Sequence, residues 1–208
     1  MTAKGPSPRA GEGSDEALMQ STREGNLLAF EMLVERYRDR MLNYVARSLV
    51  NPASAEDLFQ ELFIRVYEAR WTYRPTAKFS TWLYTIAHNL CLNENRNRRT
   101  RDQRSVSLED RIGSPDGADS GLKVQDLIQG SETDPLNKIN DQEREARIKQ
   151  AVSELPEEYR DFLILKHFEE MDYDDIAAIA GISRDAVKMR AVRARRALKT
   201  KLQAMEGE

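Results

Sequence analysis

The sequence predicts an all-α chain: two small helical domains joined by a flexible acidic linker. Three observations carry this. Apolar residues recur at three- and four-residue steps from Ser14 to about Arg99 and again from near Asp141, and no stretch alternates convincingly as a strand would. Between these stretches, residues 101–138 lose that period and include the turn-rich, acidic run "IGSPDGADSG". Charge divides the same way: five arginines face two acids from Asn93 to Arg104, ten acids face four bases from Ser105 to Glu145, and eight bases face one acid from Arg184 to Lys201. The net charge over 208 residues is only -3, so the total implies no general affinity for polyanions. The distribution implies two basic contact surfaces with an acidic segment between them.

Residues 1–13 are rich in Gly, Pro and Ser and read as a disordered tail. The first helix opens at a Ser14 or Asp15 cap and closes at Gly25-Asn26. Phe30, Leu33, Val34, Tyr37, Met41, Tyr44 and Val45 form one face of a long second helix, which "NPAS" ends. In "AEDLFQELFIRVYEA" the apolar side is Leu58, Phe59, Leu62, Phe63, Val66 and Tyr67. A loop around "RWTYRPTA" follows, then a helix from about Phe79 into the arginines. Past the linker, Ile148, Val152 and Leu155 mark one helix. Pro156 suits the first turn of the next, whose face is Tyr159, Phe162, Leu163 and Phe168. The expected division is a tail over 1–13, a first domain over 14–100, a linker over 101–140 and a second domain over 141–204.

Several function classes fall away. Cys91 is the only cysteine, so there is no internal disulfide and no cysteine-based zinc site. His88 and His167 are too isolated to hold a metal. No nucleophile–base pair, Gly-rich phosphate loop or ligand cluster is visible, so neither enzyme chemistry nor a cofactor is expected. No apolar stretch is long enough to insert in a membrane, and the N-terminus lacks an apolar export signal. The expected location is the cytoplasm.

"YDDIAAIAGISRDAVKMRAVRARRAL" reads as a helix-turn-helix. Ala177 lets two helices cross closely, Gly181 permits the left-handed turn, and Ser183 caps the second helix. Ile176, Ile182 and Val187 fill the space between the helices, and Val187, Ala191, Ala194 and Leu198 face inward. Arg184, Lys188, Arg190, Arg193, Arg195 and Arg196 point outward or flank that face, a shape and charge suited to the major groove. The bland alternative is a charged, solvated terminal helix, but such helices usually mix signs and this one carries a lone acid, Asp185.

In the first domain, Trp71, Tyr73, Phe79, Trp82 and Tyr84 precede an arginine-rich helix end. Aromatic faces beside cations suit a single-stranded nucleic acid. Phe79, Trp82, Leu83 and Ile86 read more simply as core. Tyr73 sits beside Pro75 in a loop, where a ring is less readily buried. Asn89 either offers its amide to a base edge or is a solvent-facing or core-capping amide.

Three ordered stretches, "AEDLFQELFIRVYEA", "FSTWLYTIAHNLCLNENR" and "LPEEYRDFLILKHFEEMDYDDIAAIAGISRDAVKMRAVRARRAL", resemble bacterial RNA polymerase sigma factors of the extracytoplasmic-function (ECF) group of the sigma-70 family. The match spans about residues 15–99 and 143–202. The resemblance implies a region 2 helical bundle, a region 4 helix-turn-helix, and a factor that directs core RNA polymerase to promoters through minus-thirty-five and minus-ten elements and promotes melting. It implies that Asp57, Gln60 and Glu61 dock on a coiled coil of the polymerase's largest subunit, while the second domain meets the flap. It places Tyr73, Arg74, Lys78, Asn89, Arg96, Arg98 and Arg99 on the minus-ten element, where Tyr73 and Asn89 form a pocket for a flipped base. It places Arg184, Asp185 and Lys188 on minus-thirty-five bases, Arg190, Arg193 and Arg195 along its phosphates, and Arg196 on the same element. Duplex and single-stranded promoter DNA are thus expected partners, together with an anti-sigma factor. Arg184-Asp185-Ala186 replaces the small residues that usually start the recognition helix, so the element it reads is left open. The acidic linker is either an RNA mimic in a basic channel or an inert spacer. The runner-up function is a stand-alone helix-turn-helix regulator of duplex DNA.

Overall fold

The computed structural model describes residues 13–105 and 147–206, and all regular elements among them are helical. The expected tail and acidic linker lie almost wholly outside the described residues. Helix α1 (Asp15–Arg23) starts at Ser14, whose hydroxyl accepts from Ala17 N at 3.2 Å. Gly25, at φ 99°, then turns the chain. Asn26 caps α2 (Leu27–Ser48) by accepting from Ala29 N. Asn51 and Pro52 end that direction in a short 3₁₀ turn before α3 (Ala55–Glu68). The loop that follows leads into α4 (Phe79–Ser105), so the expected domain end at residue 100 falls inside a continuous helix.

Leu33, Tyr37, Met41, Tyr44, Leu62, Val66, Phe79 and Leu83 are all buried and form the core of this half. The heptad-like apolar spacing of α2, α3 and α4 therefore packs as expected.

The second half begins with a helical run over 147–153 (α5). Pro156 is the N-cap of α6 (Glu157–Leu163) rather than part of its first turn. That helix does not run on to Phe168 as its spacing suggests. A π-turn (Ile164–Phe168) intervenes and rotates Phe168 outward, where its ring lies 4.4 Å beneath the Arg47 guanidinium. Asp172 caps α7 (Tyr173–Ala180), accepting from Asp175 N at 2.8 Å. Gly181 then adopts φ 64°, ψ 32°, and Ser183 accepts from Ala186 N to start α8 (Arg184–Glu206). The turn needs the left-handed region that glycine enters without cost. Ile176, Val187, Ala191 and Ala194 are buried between these helices, so the helix-turn-helix forms as its sequence predicts.

The two halves also pack on each other. Helix α7 lies against α4, and α6 meets the C-terminal end of α2. Ser48 O, at that end, accepts from both Asn95 Nδ2 (3.0 Å) and the Arg160 guanidinium (3.2 Å).

Candidate nucleic-acid interface

The residues expected at the minus-ten element divide into three groups. Asn89 and Arg96 are exposed and lie seven residues apart, on one face of α4. Asn93, Asn97 and Thr100 share that exposed face, and half-buried Trp82 and Thr85 begin it. The two asparagines escaped the sequence reading, although spacing from Asn89 would have found them. Arg74, Lys78 and Arg99 are exposed, and Arg98 is half-buried. Lys78 and Arg99 are engaged by the other half: Lys78 Nζ lies 2.7 Å from Asp175 Oδ2, and Arg99 Nη1 lies 3.4 Å from Glu157 Oε2.

Tyr73 corrects an expectation. Its ring is buried, with 1% exposed, although it lies in a loop. It meets Trp82 and Phe79 edge-on, with ring centroids 5.1 and 5.9 Å away. Burying an aromatic ring against two others outweighs the loop's freedom, because such rings bury roughly 150–250 Å² each. Glu16 pins the loop's end by accepting from Phe79 N at 3.0 Å, and that bond holds its carboxyl below the usual range. Burial pushes the Tyr73 phenol up to about 12, and its hydroxyl has no hydrogen-bond partner among the described residues. The aromatic faces open to solvent are instead Trp71, 58% exposed and stacked on Arg70 at 4.6 Å, and part of Trp82.

On α8 the inward residues are Val187, Ala191 and Ala194. The stripe opposite them is Asp185, Met189, Val192 and Arg196, flanked by Lys188 and Arg193, and all six are exposed. Met189 and Val192 did not enter the sequence reading, although their spacing from Asp185 would have placed them on this stripe, and both are more than half exposed. Asp185 accepts from Lys188 Nζ at 2.9 Å, which lowers its carboxyl. Arg184 pairs with Asp174 at 3.3 Å. Arg190 and Arg195 are only half-exposed, and Arg190 reaches Glu158 at 3.5 Å.

On α3, Asp57, Gln60 and Glu61 are exposed, opposite buried Leu58, Leu62 and Phe63. Glu61 accepts from Arg65 Nε at 2.9 Å, and Ile64 stands 58% exposed beside it. The face is therefore acidic with an apolar centre.

His88 is buried beside Asp161, 3.7 Å away across the two halves. Burial pushes both toward their neutral forms, lowering the imidazole and raising the carboxyl to about 7. Burial also raises the Cys91 thiol to about 12, which leaves it unreactive. Among the described residues no group of His, Cys, Asp and Glu is arranged to hold a metal ion, and no helix is long and apolar enough to cross a membrane.

The chain thus carries a helical bundle with an exposed amide-and-arginine stripe, and a helix-turn-helix whose exposed side includes Lys188, Arg193 and Arg196, a pairing suited to a DNA-binding protein. Residues 33–101 match the family model of sigma-70 region 2, and residues 145–198 match that of sigma-70 region 4. The chain belongs to the sigma-70 family of RNA polymerase sigma factors. It is 32% identical to the RNA polymerase sigma-H factor of Pseudomonas aeruginosa, over 92% of this chain and 95% of that one. It is 30% identical to the ECF sigma factor SigW of Bacillus subtilis, over 88% of this chain and 94% of that one. Similar folds occur in CnrH, solved with the cytosolic domain of CnrY (TM-score 0.64, 21% identity, 92% of this chain and 99% of that one). They occur also in RpoE of Bartonella quintana, solved with the anti-sigma factor NepR (TM-score 0.61, 22% identity, 84% and 96%). The chain is thus a transcription initiation factor of the ECF type, directing polymerase to promoters.

Proposed function

We infer that this factor divides promoter recognition between strand-separated and duplex DNA. The observation that carries the reading is the presence of two unlike reading faces on one chain. The α4 stripe from Trp82 through Asn89 to Arg96 offers an aromatic face, amides and cations, the groups that hold a base out of the stack. The α8 stripe offers a rigid helix for the major groove. Asn89 contacts a flipped nontemplate base of the minus-ten element, and Arg74, Lys78, Arg96, Arg98 and Arg99 follow its backbone. Arg184, Asp185 and Lys188, with Met189 and Val192, meet base edges and thymine methyls of the minus-thirty-five element. Arg193, Arg195 and Arg196 contact phosphates, while Arg190 braces α8 against α6 through Glu158.

Asp57, Gln60 and Glu61 dock, around exposed Ile64, on the coiled coil of the largest polymerase subunit, and the second half meets the flap. An anti-sigma factor is included as a partner because NepR is the partner named for the Bartonella relative of similar fold. The factor works by binding rather than catalysis, in the cytoplasm where polymerase is found.

Asn89→Ala and Arg193→Ala should separate the two activities. On a fully duplex promoter, Asn89→Ala lowers open-complex formation and relaxes preference at one minus-ten position, and on a template melted beforehand it still relaxes that preference. Arg193→Ala weakens duplex binding almost uniformly across sequences and reduces the salt slope by about one. Gel-shift and permanganate footprinting on the two templates give the comparison. Identical profiles for both variants on both templates would contradict the division of labour.

A further inference from the structure

The outward stripe of α8 is polar at its ends and apolar at its centre. Asp185, Met189, Val192 and Arg196 follow one another at steps of four, three and four residues. At about 3.6 residues per turn those steps keep them on one line along the helix. The line lies opposite the buried Val187, Ala191 and Ala194, where α8 packs on α6 and α7. The polar groups at its start are engaged within the chain: Asp185 accepts from Lys188 Nζ at 2.9 Å, and Arg184 lies 3.3 Å from Asp174. Met189 and Val192, 56% and 59% exposed, carry no side-chain hydrogen-bond donor, and their one acceptor is the weak Met189 thioether.

Scattered exposed hydrophobics are ordinary on a protein surface. These two stand together, flanked by exposed Lys188 on one side and Arg193 on the other. The stretch from Arg184 to Lys201 holds eight bases and one acid, so the face suits a polyanion better than an apolar protein partner. The floor of the major groove presents one apolar group, the C5-methyl of thymine. Side chains three residues apart are separated by about 4.5 Å along a helix axis, and successive base pairs by about 3.4 Å. Met189 and Val192 therefore match methyl groups on neighbouring base pairs.

We propose that the centre of the minus-thirty-five element is read through C5-methyl groups, by Met189 and Val192, so that a base there is chosen by the methyl it carries and not by its hydrogen bonds. This rests on α8 being the helix that reads duplex DNA, and it names the chemical group selected. In 5-methylcytosine the same methyl occupies the same place in the groove. Methylation of a cytosine at such a position should therefore strengthen the contact.

The experiment uses core polymerase loaded with the full chain, on a promoter selected from a randomised library. At each minus-thirty-five position where thymine is selected on either strand, that base is replaced in turn by uracil, cytosine and 5-methylcytosine, with the opposite base changed to keep the pair. Burying one methyl group is worth about fourfold in binding. Thymine should exceed uracil, and 5-methylcytosine exceed cytosine, by about that factor at two neighbouring positions. Met189→Ala and Val192→Ala should each abolish the methyl preference at one of the two and leave it at the other. Both side chains are exposed, so circular dichroism should be unchanged in either variant. Arg193→Ala should weaken all four templates alike and keep the preference. Equal binding of thymine and uracil, or of cytosine and 5-methylcytosine, at every selected position overturns the proposal. So does a methyl preference that survives in both variants, or a selected element without thymine, and in each of these cases the promoter-reading function stands. A loaded polymerase that selects no minus-thirty-five element counts against that function as well.

Discussion

Reversing charge at Asp57 and Glu61 together is expected to abolish binding to core RNA polymerase while leaving helical content intact. Both carboxylates stand exposed on α3 beside Ile64, opposite the buried Leu58 and Leu62. Like charges brought together across an interface cost several kcal/mol, enough to remove binding in the micromolar-to-nanomolar range. The fold tolerates the change. Glu61 pairs with Arg65 one turn on, and a like-charge pair at that spacing costs a few tenths of a kcal/mol. Co-elution of the double variant with core at moderate salt, alongside unchanged far-UV circular dichroism, is the check. Retained co-elution would show that this face is not the docking site.

Tyr73→Ala should destabilise the first half by about 3–5 kcal/mol, the usual cost of deleting a buried aromatic ring. Tyr73→Phe should be neutral or slightly stabilising, because the hydroxyl it removes is buried without a partner among the described residues. Urea denaturation of the two variants separates these outcomes. A loss under about 1 kcal/mol for Tyr73→Ala would mean that the ring is not part of the core. Any promoter defect of Tyr73→Ala therefore mixes unfolding with lost recognition, and Asn89, exposed on α4, is the cleaner probe.

How far the sequence led depended on how local the cause was. The Ser14, Asn26 and Gly25 signals, the apolar faces of α2 and α3, and the Gly181 turn are set by residues within a few positions, and the structure reproduces them. Asn89 is exposed on α4, one of the alternatives its spacing left open, and Arg184, Lys188, Arg193 and Arg196 are exposed on α8, while Arg190 and Arg195 are half-buried. The misreadings came from distant packing. Tyr73 is buried because Phe79 and Trp82 lie beneath its loop. Phe168 is exposed because a π-turn breaks the helical phase on which its burial was predicted. Met189 and Val192 lie off the inward face of Val187, Ala191 and Ala194, and both are exposed. Asp175 lies in the first turn of α7, yet it also accepts from Thr81 and Lys78, 94 and 97 residues away. No local pattern announces a contact of that kind.

This chain gives core polymerase its promoter choice, and transcription from a randomised promoter library tests that role most directly. Purified core polymerase is mixed with the full chain, and the transcribed templates are sequenced. A sigma factor requires transcripts that depend on the added chain and templates enriched in two short elements at a fixed spacing. The enrichment at one minus-ten position should relax with Asn89→Ala and remain with Arg193→Ala. A chain that leaves core activity unchanged and binds a single duplex motif without polymerase would be a stand-alone regulator, and the assignment would fail.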